Sequence, residues 1–218
     1  MPKDTFFNLP EEKRLKIEVV AIDEFAANGY DKASINRIVD HCQIAKGSFY
    51  QYFRNKKDLF KYILERAYEE KLKFMSPVME NPEAHDFFTL LKELYMSGLK
   101  FGEANPKLMA IGNQLLKNKD HAVYQEILGE SKPLANGIFK NLLELAISRG
   151  EVRENIDVKF ISFLITSMNV SIIEYYFDVV KADNIPEFDD KIMDTVNLFL
   201  DFIKNGIGYK DRGGTEND

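Results

Sequence analysis

The amino-acid sequence predicts an all-α protein. Apolar residues recur at helical spacing along most of the 218 residues, strand-like alternation is scarce, and glycine and proline fall between the periodic stretches. Hydrophobic residues make up 45% and charged residues 29% of the chain, which supplies enough apolar material for a core. We predict about nine helices, three of them in an N-terminal domain and the others in a C-terminal helical domain.

Capping residues delimit the N-terminal helices. The first is predicted from about Pro10 to Asn28, because proline suits a first helical turn and Gly29 suits a stop. Its predicted apolar stripe contains Leu15, Val19, Ile22, Phe25 and Ala26.

Three more helices follow at short intervals. Ser34 can cap the second helix, and the third spans about residues 45–52. Asn55 can cap a fourth helix, which runs to about residue 75 and links the two domains. The later helices are predicted at about residues 83–103, 106–117, 120–149, 158–181 and 187–207, followed by a disordered tail at 208–218.

Residues 34–53 have the properties of a helix-turn-helix. The first helix of this segment is amphipathic, and the second carries polar donors beside two phenylalanines that can anchor it. Gly47 permits close backbone approach, Gln51 can recognise the edge of adenine, and Lys46 can recognise a guanine edge. The predicted DNA-binding residues are Ser34, Arg37, Lys46, Gly47, Ser48, Tyr50, Gln51, Tyr52, Lys56 and Lys57.

Charge supports DNA binding only at the N-terminus. The net charge of −6 argues against a general nucleic-acid binder, because duplex DNA repels an acidic surface. Residues 1–57, however, contain ten lysines and arginines against eight acids, so the acidic excess lies in the rest of the chain. We therefore predict a DNA-binding domain at residues 1–57 and a ligand-binding and dimerisation domain at 58–207.

The stretch GYDKASINRIVDHCQIAKGSFYQYFRNKKDLF resembles the N-terminal domain of the tetracycline-repressor (TetR/AcrR-like) family of bacterial transcription regulators. The resemblance implies that KGSFYQY forms the recognition helix and that Tyr50 and Lys56 bind phosphates. It also implies a homodimer formed through the last two helices, a pseudo-palindromic double-stranded operator, and a repressor released by a small-molecule effector. Where the family commonly has glycine in the turn, this chain has Gln43, which is expected to adopt a left-handed conformation. Ala45 stands where a capping serine is frequent.

The effector pocket is predicted among the middle helices, because family members often bind ligands in a cavity lined by aromatic and a few polar groups. Plain core packing is the alternative for each candidate. A carboxylate among tyrosines, at Glu174, can receive a cation, face water or form a salt bridge across the dimer. The candidates are Tyr95, Met96, Met109, Gln114, Tyr124, Phe139, Met168, Asn169, Ile172, Glu174 and Tyr176.

Other classes of protein find less support in the sequence. The single cysteine, the absence of a signal-like N-terminus and the polar residues in 160–180 favour a cytoplasmic protein without a membrane span. The three histidines lack metal-ligand spacing, and no nucleophile–base pair or phosphate loop is visible, so we expect no metal, no cofactor and no enzymatic activity. The alternative is a helical-bundle ligand-binding protein or enzyme without DNA binding.

Overall fold

The computed structural model describes residues 2–118, 120–178 and 190–208, with backbone alone at 131–135, 170, 173–174, 176–178 and 190–191. These ranges contain ten α-helices, one 3₁₀ turn at Pro82–Ala84 and no strand, which confirms the all-α prediction. None of the described helices is both long and apolar enough to span a membrane. The helices are α1 (Asp4–Phe7), α2 (Glu11–Lys32), α3 (Ile35–Cys42), α4 (Lys46–Tyr52), α5 (Lys56–Met79), α6 (Phe87–Ala104), α7 (Pro106–Lys117), α8 (Ala122–Ser148), α9 (Val158–Asp178) and α10 (Asp190–Ile207).

Most helices lie where the sequence predicts them, and α1 is an addition. The four residues of α1 are too few to show any helical period. Gly29 has a positive φ of 66° and interrupts α2, after which one more turn continues to Lys32. The predicted tail beyond Gly208 and the predicted helix ends at 181 and 187 lie outside the described residues.

The predicted apolar stripe of α2 is partly wrong. Leu15 and Val19 are exposed, whereas Ile17, Ala21 and Phe25 form the buried face. The reason is that α2 carries apolar residues on two faces. The face spaced i, i+4, i+8 from Ile17 is fully buried, and Ile22 and Ala26 of the predicted stripe are partly buried beside it.

The chain divides into two compact units, and the boundaries between these units do not coincide with the predicted functional boundary at residue 57. The N-terminal unit comprises Met1–Phe74 and Gly98–Leu128, and the C-terminal unit comprises Met75–Ser97 and Gly129–Asp218. Helices α5, α6 and α8 each begin in one unit and end in the other. The assignment of DNA binding to residues 1–57 remains a prediction.

The N-terminal unit is held together by an aromatic core. Phe25 and Phe60 pack at a ring-centroid distance of 4.8 Å, and both are buried. Helix α7 packs against α2, where the Gln114 side-chain amide donates to the Ala26 carbonyl at 2.9 Å. Elements beyond the first four helices therefore belong to the same packed body as the helix-turn-helix.

The C-terminal unit has a separate, mostly aliphatic core formed by α6, α8, α9 and α10. Its most buried members include Phe87, Leu91, Leu143 and Ile165. Helix α10 contributes one apolar stripe to this core, which comprises Val196, Phe199, Leu200 and Ile203.

Candidate nucleic-acid interface

The turn between α3 and α4 has the conformation that the sequence predicts. Ser34 Oγ accepts from the Arg37 backbone N–H at 3.5 Å, a long N-cap contact at the start of α3. Gln43 ends α3 at φ 57° and ψ 44°, which is the left-handed region. The Ile44 N–H then bonds to the Val39 carbonyl at 3.1 Å, so the chain turns sharply into α4. The prediction of a left-handed Gln43 is confirmed, and this residue makes the turn that glycine makes more easily.

Helix α4 presents one polar face outward and buries the other. Phe49 lies in α4 and Phe53 follows it directly, and both are buried in the core of the N-terminal unit. Lys46, Gly47 and Gln51 are exposed. A Cβ built on Gly47 would meet no atom within 4 Å, so the space beside this backbone is open. The outward face is therefore free to approach a flat or grooved partner closely.

Tyr50 and Tyr52 differ in position although both were predicted to bind DNA. Tyr50 is exposed, and its ring packs edge-on against Phe49 at 5.3 Å. Tyr52 is only 6% exposed, and its ring lies 6.2 Å from that of Phe6. Tyr52 faces the core because successive helical residues point about 100° apart, and its role as a DNA contact remains a prediction.

Arg37 is held in an ion pair within the protein. Its Nε donates to Glu24 Oε1 at 3.0 Å, and its Nη2 donates to the Lys32 carbonyl at 2.7 Å. Glu24 Oε1 also accepts from the Ser34 N–H at 2.8 Å. The hydrogen bond from Arg37 lowers the pKa of Glu24 against the opposing effect of burial. The arginine therefore fixes α3 against α2, and its role as a DNA contact remains a prediction.

The lysines at the start of α5 also have partners. Lys56 Nζ donates to the carbonyls of Asp31 and Ala33, each at 3.0 Å, and lies 4.6 Å from the centre of the Tyr30 ring. Lys57 forms an exposed ion pair of 3.2 Å with Glu126 of α8. Two of the three ammonium protons of Lys56 are therefore used within the protein, and the phosphate contact that the resemblance implies remains a prediction.

The predicted pocket residues fall into two groups. Gln114, Tyr124 and Met109 belong to the N-terminal unit, where Gln114 binds α2 and the Tyr124 hydroxyl accepts from the Tyr30 N–H at 3.3 Å. Met109 packs against Gly102. The side chains of Glu174 and Tyr176 lie outside the described residues. The candidates in the C-terminal unit are Tyr95, Met96, Phe139, Met168, Asn169 and Ile172.

Three buried polar atoms of the C-terminal unit have no hydrogen-bond partner in the part of the chain that the structure describes. They are the Tyr95 hydroxyl of α6, Asn136 Oδ1 of α8 and Asn169 Oδ1 of α9. Burial raises the pKa of Tyr95, so its hydroxyl stays protonated and able to donate. Sequence reasoning missed Asn136, since an asparagine within a long helix carries no signal of its burial.

Comparisons with known proteins agree with this architecture. Residues 17–63 match the bacterial regulatory proteins of the tetR family. The crystal structure of a TetR family transcriptional regulator from Chloroflexus aurantiacus is 30% identical, with a TM-score of 0.67, over 96% of this chain and 100% of that chain. The fatty acid metabolism regulator protein of Bacillus subtilis is 26% identical over 152 residues, which cover 67% of this chain and 74% of that protein.

A further solved structure shares the fold. It is the transcriptional regulator FadR from Bacillus subtilis in complex with stearoyl-CoA, at 20% identity and a TM-score of 0.67, covering 88% of this chain and 98% of that chain. This protein belongs to the TetR family of bacterial transcription regulators. Members of the family bind operator DNA, dimerise and respond to small-molecule effectors, and they are regulators rather than enzymes.

Proposed function

We propose that this protein is a homodimeric, cytoplasmic repressor that binds a pseudo-palindromic operator through α4 and is released by a small molecule. The outward face of α4 supports this proposal most directly, because Lys46, Gly47 and Gln51 are exposed there while the opposite face packs on a buried aromatic core. A recognition helix must offer polar side chains on a rigid support, and this arrangement supplies both.

The proposed contacts divide into two kinds. Gln51 recognises a base edge, and Lys46 reaches a base or a phosphate. Tyr50 and Lys56 hold the sugar–phosphate backbone, which fixes the orientation of α4 without adding sequence preference. Because Lys56 already donates to two carbonyls of the segment after Gly29, its phosphate contact is coupled to the end of α2.

Homodimerisation through α9 and α10 is supported by the apolar side chains that these helices leave uncovered. Leu198 and Phe202 of α10 are 73% and 65% exposed, although a neighbouring stripe of the same helix is buried. Phe160 and Phe163 of α9 are also exposed. Large apolar side chains rimmed by polar residues are typical of a protein interface.

We propose a long-chain acyl-CoA as the effector. The fatty acid regulator among the relatives and the stearoyl-CoA complex of the FadR fold support this class of ligand. In the C-terminal unit, Tyr95, Asn136 and Asn169 have buried hydrogen-bonding groups that a polar group of such a ligand can pair. Such groups are costly to leave unpaired, so a ligand that pairs them gains affinity.

The experiment starts from genomic DNA fragments selected by the full-length protein. Fluorescence anisotropy then follows release of a selected duplex during titration with stearoyl-CoA, stearate or free CoA. We expect release by stearoyl-CoA at lower concentration than by the other two. Tyr95→Phe should raise the concentration required without changing DNA affinity in the absence of ligand. Specific binding that none of the three compounds releases would overturn the effector assignment and leave DNA recognition intact.

A further inference from the structure

The C-terminal end of α4 needs hydrogen-bond donors that its own helix lacks. Helix α4 has seven residues and contains Gly47, and its N-cap residue, Ala45, has no side chain that can cap it. The last carbonyl groups of any helix have no partner within it. In α4 the Phe49 carbonyl accepts from the Phe53 N–H at 2.8 Å, which leaves the carbonyls of Tyr50, Gln51 and Tyr52.

The first residues of the chain supply donors to all three of these carbonyls. Lys3 Nζ donates to the Tyr50 carbonyl at 2.7 Å. The Thr5 hydroxyl donates to the Gln51 carbonyl. The Lys3 backbone N–H donates to the Tyr52 carbonyl at 2.8 Å. A segment more than forty residues away in sequence therefore caps α4.

An aromatic anchor holds this segment in place. Phe6 of α1 is fully buried, and its ring centroid lies 4.9 Å from that of Phe53 and 5.2 Å from that of Tyr62. Its neighbour Phe7 is about half-exposed. Burial of one of two adjacent phenylalanines fixes the register of the segment, which places the Lys3 and Thr5 donors opposite the end of α4.

We infer that Lys3, Thr5 and Phe6 are positioning residues for DNA recognition. They act through α4, because two of the three capped carbonyls belong to Tyr50 and Gln51, the residues proposed to contact DNA. The ammonium of Lys3 also complements the negative end of the helix dipole. This inference rests on the proposed function. It adds that the specificity of α4 depends on side chains that do not contact DNA.

The test compares Thr5→Val with Thr5→Ser in the full-length protein. Valine keeps the shape of threonine and removes the donor, whereas serine keeps the donor. We expect Thr5→Val to weaken binding to a selected duplex about three- to tenfold, the effect of one net hydrogen bond, with Thr5→Ser close to wild type. Binding to a scrambled duplex and the salt dependence of affinity should not change, because no phosphate contact is removed.

A second measurement does not require DNA. Hydrogen–deuterium exchange of peptides covering residues 46–53 should accelerate in Thr5→Val and in Phe6→Ala, and much less in the matched control Phe7→Ala. Unchanged exchange and unchanged affinity in Thr5→Val would overturn the inference. The Lys3→Met variant can also overturn it. An equal loss of affinity for selected and scrambled duplexes, together with a shallower salt dependence, would mark a direct phosphate contact of Lys3. Failure of the unmodified protein to select any DNA would overturn the proposed function instead, and the exchange data alone would then decide whether the segment caps α4.

Discussion

Replacing Gly47 with alanine should stabilise the protein and weaken its binding to DNA. An added Cβ meets no protein atom within 4 Å, so the folded chain accommodates it without a clash. Alanine in the middle of a helix is favoured over glycine by about 0.5–1 kcal/mol, and because Gly47 lies in the first turn of α4 the free energy of unfolding should rise by at most that amount. At the interface the same methyl group occupies the space that a base or phosphate needs. We expect affinity for a selected duplex to fall about tenfold or more, which corresponds to about 1.4 kcal/mol.

The opposite signs of the two effects make this substitution informative. Urea unfolding followed by circular dichroism measures the stability change, and fluorescence anisotropy measures DNA affinity. Gly137→Ala of α8 is the matched control, because its Cβ also meets nothing within 4 Å and it lies in the C-terminal unit. It should also raise stability, by about 0.5–1 kcal/mol, without changing DNA affinity. If Gly47→Ala binds the duplex as well as wild type, α4 does not approach DNA at this residue.

Three other predictions concern base recognition, acid stability and association. Gln51→Ala should reduce discrimination at a single position of the operator by about 1–3 kcal/mol with an unchanged salt dependence, as measured on a set of single-base variants; equal loss at every position would contradict base recognition by this residue. Glu24→Gln should lower stability at neutral pH by weakening the bond to Arg37. Folding lowers the pKa of Glu24, so its stabilising contribution is present above its ordinary pKa of about 4.3 and is lost as the pH falls below that value. The urea midpoints of the variant and the wild type should therefore converge in acid. Phe202→Lys should dissociate the dimer in sedimentation velocity while Phe202→Leu preserves it, and an intact dimer in the lysine variant would exclude α10 from the interface.

The sequence was most informative where structure depends on neighbouring residues. The caps at Ser34 and Asn55 and the left-handed Gln43 follow from local hydrogen bonding and backbone sterics, and all three occur in the structure. The sequence also predicted which face of α4 points outward, because two phenylalanines four residues apart, both buried in the structure, define the opposite face. The burial of Tyr52 did not follow from the sequence, since polar character alone does not tell which face a tyrosine occupies.

Partners distant in sequence were not predictable in the same way. The pairing of Arg37 with Glu24 and that of Lys57 with Glu126 depend on how helices pack, and a charge pattern carries no such information. The capping of α4 by residues 3–5 is a further case, because a four-residue helix shows no period and Phe6 and Phe7 are indistinguishable until one of them is buried.

Recognition of a specific operator by α4 can be tested on the unmodified protein. The most direct measurement is selection of genomic fragments by the full-length protein, followed by anisotropy titration of the enriched duplex over a range of salt concentrations with wild type and Gly47→Ala. We expect one enriched sequence with inverted half-sites, an affinity that falls steeply with salt, and a clear loss of affinity in the variant. No enriched sequence, or an enriched sequence that both proteins bind equally, would contradict it.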